Sequence, residues 1–265
     1  MIEFVTCEIF GDIYNQLFQI AATIEYGKQY NKRIIFPENI SKTTPFIEVE
    51  NNPMIFDRED FEKIVFEVYD MNEILSNPID LKGNILFKGS HMSFRNISHK
   101  TKLSLSNMIC ENEEKITKSY EMYVDINKHF DKEEDQNCIS IHVNSKSHFN
   151  MKYYENACSI LNYFEKKPRN IVIFSDDIEW CREIFKLNGY NANNMYFVDM
   201  KDSYAELLLM TYYRDHVLSL SESSWWGSFL GLEKNRRTLC PYFEGCEKTY
   251  DDSWIINDDS DSVIF

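Results

Sequence analysis

The sequence predicts an α/β protein built of two Rossmann-like, doubly wound halves. Three observations carry this. A strand, a helix and a second strand follow one another within the first 36 residues. After residue 138, apolar strands and amphipathic helices alternate at a spacing of roughly 30 residues, the rhythm of a parallel sheet covered on both faces. Between these stretches, Asp131-Lys132-Glu133-Glu134-Asp135-Gln136 is a charged run with few apolar residues. It reads as a surface linker, with a capped helix end as the alternative, and puts the halves at 1–131 and 132–265.

The elements follow in order. Ile2 to Phe10 is strand-like, and Gly11-Asp12-Ile13-Tyr14 is a turn. Ile13, Leu17, Ala21 and Ile24 recur at helical spacing with Phe18 alongside, which predicts an amphipathic helix over about 14–31. Arg33-Ile34-Ile35-Phe36 is a short strand stopped by Pro37. The stretch 38–130 is less regular, with apolar runs at Ile64–Val68 and Asn84–Phe87 and a helical pattern near 115–129. Strands are then expected at Cys138–Val143, Asn170–Ser175, Asn194–Val198, His216–Leu220 and Thr238–Tyr242. Helices are expected between them at Lys152–Lys167, Ile178–Leu187, Tyr204–Tyr213 and Ser224–Leu232. The tail 250–265 is acidic, ends apolar and is expected to dock on the rest of the chain.

Composition narrows the function. The chain has 265 residues and a formal net charge of −15, while 43% hydrophobic and 15% aromatic residues suffice for a full core. Such a field repels polyphosphate, so nucleic acid is not an expected partner, and any anionic ligand needs a local positive site. Residues 1–10 carry Glu3 and Glu8 and no basic run, and no long uncharged apolar stretch occurs, so neither a secretory signal nor a membrane span is expected. Seven scattered cysteines with no Cys-x-x-Cys suggest reduced, mostly buried thiols in a cytoplasmic setting. Asp259-Ser260-Asp261 has metal-binding spacing but sits in the acidic tail, where a solvated segment is the better reading. No Gly-x-Ser-x-Gly elbow supports a serine hydrolase.

In doubly wound folds ligands sit beyond the carboxyl ends of the strands. At the first such end, Asn15 and Gln16 open a helix, where amides cap it or meet a ligand hydroxyl; an Asn cap with Gln on the surface is the plain structural reading. At the second, His142 lies on an apolar strand, and Lys146 is the cation of the following loop, placed to meet a phosphate. At the third, Asp176 and Glu179 have capping-box spacing, though a carboxylate there also suits the paired N–H donors of a guanine edge. At the fourth, Ser221, Ser223 and Ser224 precede a helix whose first-turn N–H groups favour an anion. Glu222 opposes a phosphate unless it turns away or binds a sugar hydroxyl, and Trp225 and Trp226 read as packing residues.

Taken in this order, the four segments resemble the α-1,2-fucosyltransferase-like glycosyltransferases, the glycosyltransferase family 11 type. The family's GGLGNQMFQ-like opening falls on Gly11-Asp12-Ile13-Tyr14-Asn15-Gln16-Leu17-Phe18-Gln19. Its His-x-Arg-Arg-Gly-Asp-Tyr box falls on His142-Val143-Asn144-Ser145-Lys146-Ser147-His148. Its FSDD-x-x-W-C segment is matched by Phe174-Ser175-Asp176-Asp177-Ile178-Glu179-Trp180-Cys181, and its NSSFSWW-G-x-x-L segment by Leu220–Leu230. The resemblance covers 1–36 and 138–242 well and 38–130 poorly. It implies a GT-B-type architecture with the acceptor mainly on the N-terminal half and the nucleotide on the C-terminal half. The implied reaction is a metal-independent, inverting transfer with no cofactor: a glycan hydroxyl attacks the anomeric carbon and a nucleoside diphosphate leaves. GDP-fucose is the default donor, with another GDP- or UDP-sugar as an option. The donor-binding candidates are Asn15, Gln16, Asn144, Lys146, Asp176, Asp177, Ser221, Glu222, Ser223 and Ser224. His142 is the candidate catalytic residue, as the motif group most able to take a proton, although the family pattern also fits a pocket-shaping role.

The departures bear on activity. Asp12 and Tyr14 replace two family glycines, and Ser147 replaces the box aspartate. Both box arginines, one of which contacts the donor phosphates in the family, are replaced by Asn144 and Ser145. A charge-assisted hydrogen bond contributes roughly 1.5–3 kcal/mol, so another cation has to substitute. Lys146 is nearest, with Lys152 and the Arg236-Arg237 pair further away along the chain. The alternative reading is an inactive relative that binds a glycan or a nucleotide.

Overall fold

The computed structural model describes residues 2–42, 44–46, 54–76, 79–89, 97–130, 138–146, 150–166, 169–189, 192–231, 235–243, 246, 250–251 and 253–257. The chain divides into two compact units, Met1–Glu113 and Glu114–Phe265. The N-terminal unit runs β1 (Phe4–Cys7), α1 (Ile13–Gln29), β2 (Arg33–Ile34), β3 (Phe36–Pro37), β4 (Ile55–Phe56), α2 (Arg58–Glu62), β5 (Glu67–Asp70), α3 (Met71–Ser76), β6 (Ile85–Lys88) and α4 (His99–Ile109). Its sheet has the order β2-β1-β6-β5 with every pair parallel, and β3 and β4 form a separate parallel pair.

The predicted apolar stripe of α1 is real: Ile13, Leu17, Ala21 and Ile24 are all buried. Asp12 caps the helix by accepting from the Tyr14 and Asn15 amides. Asn31, at φ 53°, turns the chain out beyond Gln29. A side chain at Gly27 would meet Ile34 Cγ1 at 2.5 Å and Val5 Cγ1 at 3.1 Å, so glycine lets α1 lie close on β1 and β2. The Tyr26 hydroxyl donates to Ile79 O (2.8 Å) and accepts from Leu81 N (2.9 Å), and buried Lys32 pairs with Glu3.

The C-terminal unit runs α5 (Glu113–His129), β7 (Ile139–Val143), α6 (Met151–Glu165), β8 (Ile171–Ser175), α7 (Ile178–Leu187), β9 (Met195–Phe197), α8 (Ser203–Thr211), β10 (Asp215–Val217), α9 (Glu222–Phe229), β11 (Arg237–Pro241) and β12 (Ile255–Asn257). All six strands are parallel, in the order β9-β8-β7-β10-β11-β12. In chain rank this is 3-2-1-4-5-6, the dinucleotide-fold order, with its switch point between β7 and β10. The alternation of β8 shows how the sheet is covered. Ile171 and Ile173 pack with Tyr153, Leu161, Cys181 and Phe185 of α6 and α7 on one face. Val172 and Phe174 pack with Ile126, Phe130, Leu209 and Tyr213 on the other.

The boundary differs from the expected 131/132. Ile126 and Phe130 are sealed against Cys138, Val172 and Phe174, so α5 belongs to the C-terminal sheet. The charged run 131–136 and the tail from 258, with Asp259-Ser260-Asp261, lie outside the described residues. The tail segment before it docks as expected: β12 pairs with β11, and Trp254 meets Trp225 at 5.7 Å. All seven cysteines are free, and Cys110 alone is exposed.

At the amino ends of the C-terminal strands, Asp215 is fully buried among arginines. Arg169 and Arg237 pair with it, Arg214 donates to it at 3.1 Å, and Glu165 accepts from Arg214 and Arg237 at 2.7 Å each. These cations hold Asp215 down to about 2 against the opposing effect of burial. Arg237 is therefore at the opposite strand ends from the loops that would meet a ligand. Arg236 packs there too, bonded to His216 Nε2 and 3.4 Å from Thr211 O. Neither residue of this pair can replace the missing arginines.

Candidate functional site

The carboxyl ends of β7 and β10 diverge at the switch point, and the fourth candidate segment folds into it. Ser221 is the N-cap of α9, accepting from the Ser224 amide, and Ser223 and Ser224 fill the first turn. Buried His142 reaches from β7 into this turn. Its Nδ1 lies 2.8 Å from Ser219 Oγ and 3.3 Å from Ser221 Oγ, and its Nε2 lies 2.9 Å from Ser223 Oγ. The strand ends are braced from α6: Tyr153 OH donates to Leu218 O (2.8 Å) and Tyr154 OH to His142 O (3.2 Å). Trp225 and Trp226 are buried, as expected of packing residues. Burial pushes His142 down to about 4, partly offset by the charge of Asp176. A ring held neutral is a weak proton acceptor, so its place here is that of a hydrogen-bond hub.

The loop after β7 carries the residues that stand in place of the two arginines of the resembled box. Ser145, standing where the family has one, donates to Asp176 twice: N–H to Oδ1 at 2.7 Å and Oγ–H to Oδ2 at 2.9 Å. Burial opposes the Asp176 charge, but these bonds and the nearby Lys146 charge outweigh it and lower its pKa. Both Asp176 oxygens are thus engaged within the protein. The capping expectation was one residue off: Asp177 caps α7, accepting from Trp180 N at 3.0 Å. Asn144 accepts from Lys146 N (3.0 Å), and the Lys146 side chain is exposed. Ser147 and His148 lie outside the described residues.

In the N-terminal unit, Asn15 and Gln16 lie in the first turn of α1, the helix that follows β1, at whose carboxyl end that sheet has its own switch point toward β6. Asp12, not Asn15, is the cap, and the Asn15 amide donates to Asp12 Oδ1 at 3.1 Å. Gln16 is buried rather than on the surface: its Nε2 donates to Gly11 O (3.0 Å), while its Oε1 is buried without a partner among the described residues.

Two residues of the C-terminal unit escaped the sequence reading. Ser219, just before the fourth segment, is the closest contact of His142 Nδ1. Glu206, in the first turn of α8, is pushed up to about 7 by burial alone. The α8 N-terminus follows β9 and so lies at the ligand-facing strand ends. An acidic residue in a helix first turn reads as ordinary dipole complementation, which hid it. Among the described residues, no group of three His, Cys, Asp or Glu side chains is placed to hold a metal ion. No helix there is long and apolar enough to cross a membrane.

Residues 139–244 match the family model of Glycosyl transferase family 11. Over that stretch the chain is similar to family 11. The matched stretch runs from β7 to just past β11 and holds the whole His142–serine cluster. The family 11-like chain is 31% identical over 113 residues to O-antigen biosynthesis glycosyltransferase WbnK of Escherichia coli, across 40% of this chain and 35% of that protein. It is 28% identical over 81 residues to an alpha-1,2-colitosyltransferase of Escherichia coli, across 30% and 27%. These matches span only about a quarter to a third of those relatives' own length. Among solved structures it is similar to the fucosyltransferase NodZ from Bradyrhizobium, with a TM-score of 0.54, 11% identity, and 87% and 93% of the two chains covered. It is also similar to POFUT1 in complex with GDP, with a TM-score of 0.52, 10% identity, and 90% and 98% covered. At such identity the likeness establishes the fold, a GT-B-type pair of Rossmann-like halves.

Proposed function

We propose that this family 11-like chain is a metal-independent, inverting glycosyltransferase whose C-terminal unit holds a nucleotide-sugar donor. The observation that carries the reading is the convergence of His142, Ser221, Ser223 and Ser224 at the β7/β10 switch point. There the α9 N-terminus directs the positive end of its dipole toward the crevice, a setting that favours a diphosphate. Lys146 adds a point charge beside it, and Asn144, Asp177 and Glu222 complete the rim. Asp176 is already clasped by Ser145, and the carboxyl we assign to the two N–H donors of a guanine edge is Glu206, half-buried and with no counter-charge among the described residues. GDP-sugars are therefore preferred over UDP-sugars. GDP-fucose is the first donor to test; NodZ has been solved soaked with GDP-fucose, and one relative is named for colitose transfer, so the donor sugar varies among similar proteins.

The acceptor is a glycan hydroxyl, with Asn15 and Gln16 on the N-terminal unit as polar contacts. Charge develops on the leaving diphosphate, and amides and hydroxyls fixed beforehand lower that barrier. Loss of the acceptor proton is late and does not pass through His142. Free thiols accord with a cytoplasmic setting. The experiment is turnover of GDP-fucose, other GDP-sugars and UDP-sugars with mixed glycan acceptors, reading release of the nucleoside diphosphate. Release from a GDP-sugar supports the reading. The absence of the two arginines and the Ser145–Asp176 clasp favour a second reading, an inactive nucleotide- or glycan-binding relative. GDP binding with no turnover of any donor would establish that one instead.

A further inference from the structure

The neutral His142 ring has two tautomers, and each wires the serine cluster differently. Ser224 Oγ lies 3.0 Å from the carbonyls of both Ser219 and Ser221, and its proton goes there. Ser221 Oγ–H donates to Ser224 Oγ and Ser219 Oγ–H to Ser221 Oγ, each at 3.0 Å. With the Ser219 proton so placed, its 2.8 Å contact with His142 Nδ1 needs the ring proton on Nδ1. A neutral ring has one proton, so Nε2 accepts, and Ser223 Oγ–H, 2.9 Å away, donates to it. Every proton is then used inside the cluster, and half-buried Ser223 turns only lone pairs outward. That suits no anion.

The other tautomer supplies a donor. With the ring proton on Nε2, Nε2–H donates to Ser223 Oγ, and the Ser223 O–H, whose remaining acceptor in the cluster is Ser221 Oγ at the longer distance of 3.2 Å, can turn outward to a bound anion. The Ser219 O–H turns to Nδ1. One ring proton and the hydroxyl protons of Ser219, Ser221, Ser223 and Ser224 are present before and after, so the exchange needs no added base or acid. We infer that His142 is a positioning residue whose tautomer sets the polarity of Ser223: Nδ1–H in the free chain, and Nε2–H when a diphosphate is seated at the α9 N-terminus. This rests on the nucleotide reading of the site. The ring's burial supports it, because a neutral imidazole changes tautomer with no change of net charge at the anion.

The test is long-range proton–nitrogen NMR on the full chain carrying nitrogen-15 histidine, free and with GDP or inorganic pyrophosphate, with binding followed separately by calorimetry. The His142 signals are those missing from His142→Asn or His142→Gln, whichever folds. The expected result is Nδ1 protonated in the free chain and Nε2 protonated once either anion binds. Binding with the tautomer unchanged, or an imidazolium in either state, overturns the inference and leaves the nucleotide reading standing. Binding of neither anion overturns both. Ser223→Ala, at a half-buried position and checked for folding by circular dichroism, is expected to weaken GDP binding on the order of tenfold, the loss of one hydrogen bond to a charged group. An affinity within about twofold of the unchanged chain contradicts the inference, because Ser223 would then not be the donor.

Discussion

Replacing Glu206 by Gln tests whether the carboxyl of α8 is kept buried for a ligand. Burial raises its pKa from 4.5 to about 7, so the folded chain binds this proton more tightly than the unfolded chain. The native fold is then favoured below pH 4.5 and loses stability as pH rises toward 7, where the carboxyl must ionise while buried. A rise of this size corresponds to roughly 3 kcal/mol at 1.36 kcal/mol per pH unit, as an upper bound for a half-buried group. Gln has nearly the same shape and no charge. Glu206→Gln should therefore be more stable than the parent at pH 8 by about 2–3 kcal/mol, or roughly 5–10 °C in Tm. At pH 4 it should match the parent within about 0.5 kcal/mol. Urea unfolding at the two pH values measures both. The same variant should bind GDP more weakly, since a neutral amide offers the guanine edge a donor where it needs an acceptor. Equal effects on stability at pH 4 and pH 8 would refute the reasoning, since a packing change has no such pH dependence.

Three further outcomes follow from the same geometry. Lys146→Ala should weaken GDP binding by roughly three- to tenfold, with the difference shrinking as salt rises, because an exposed point charge is screened; an unchanged Kd in calorimetry removes Lys146 from the site. Arg237→Ala opens the Asp215 cluster and leaves a buried carboxylate short of a partner, so unfolding should cost about 3 kcal/mol less, while GDP affinity of the folded chain stays within about twofold. A loss of affinity there would contradict the placement of Arg237 at the far strand ends. Gly227→Ala puts a Cβ 2.7 Å from Met210 Cβ, between α8 and α9. It should destabilise by roughly 1–3 kcal/mol in chemical denaturation; a neutral result would show that the two helices can move apart freely.

How much of this was legible depends on where the controlling contacts lie. From β7 to β11 the strands are apolar runs, α6 and α7 carry a one-sided stripe and α8 and α9 are short apolar runs buried almost all round, so local pattern and tertiary structure agree and the elements fall within a few residues of expectation. In the N-terminal unit β5 is mostly exposed and β4 is only two residues long, so neither gives a clear period. The domain boundary was missed because the charge run at 131–136 is local, whereas the packing of Ile126 and Phe130 on Val172 and Phe174 is not. At the site the motif residues were found but not their partners. Asp176 and Asp177 both fit a cap by type, and only the bonds from Ser145 and Trp180 tell them apart. Burial of Gln16 and neutrality of His142 are products of surroundings that spacing does not encode.

The central claim is that a diphosphate seats at the β7/β10 switch point. A crystal structure of the chain grown with GDP tests it directly. The account predicts diphosphate oxygens within hydrogen-bonding distance of the α9 first-turn amides and Ser223 Oγ, with the guanine edge at Glu206. Nucleotide bound elsewhere, or a crevice that stays empty at millimolar GDP while thermal unfolding shows no stabilisation, would contradict it.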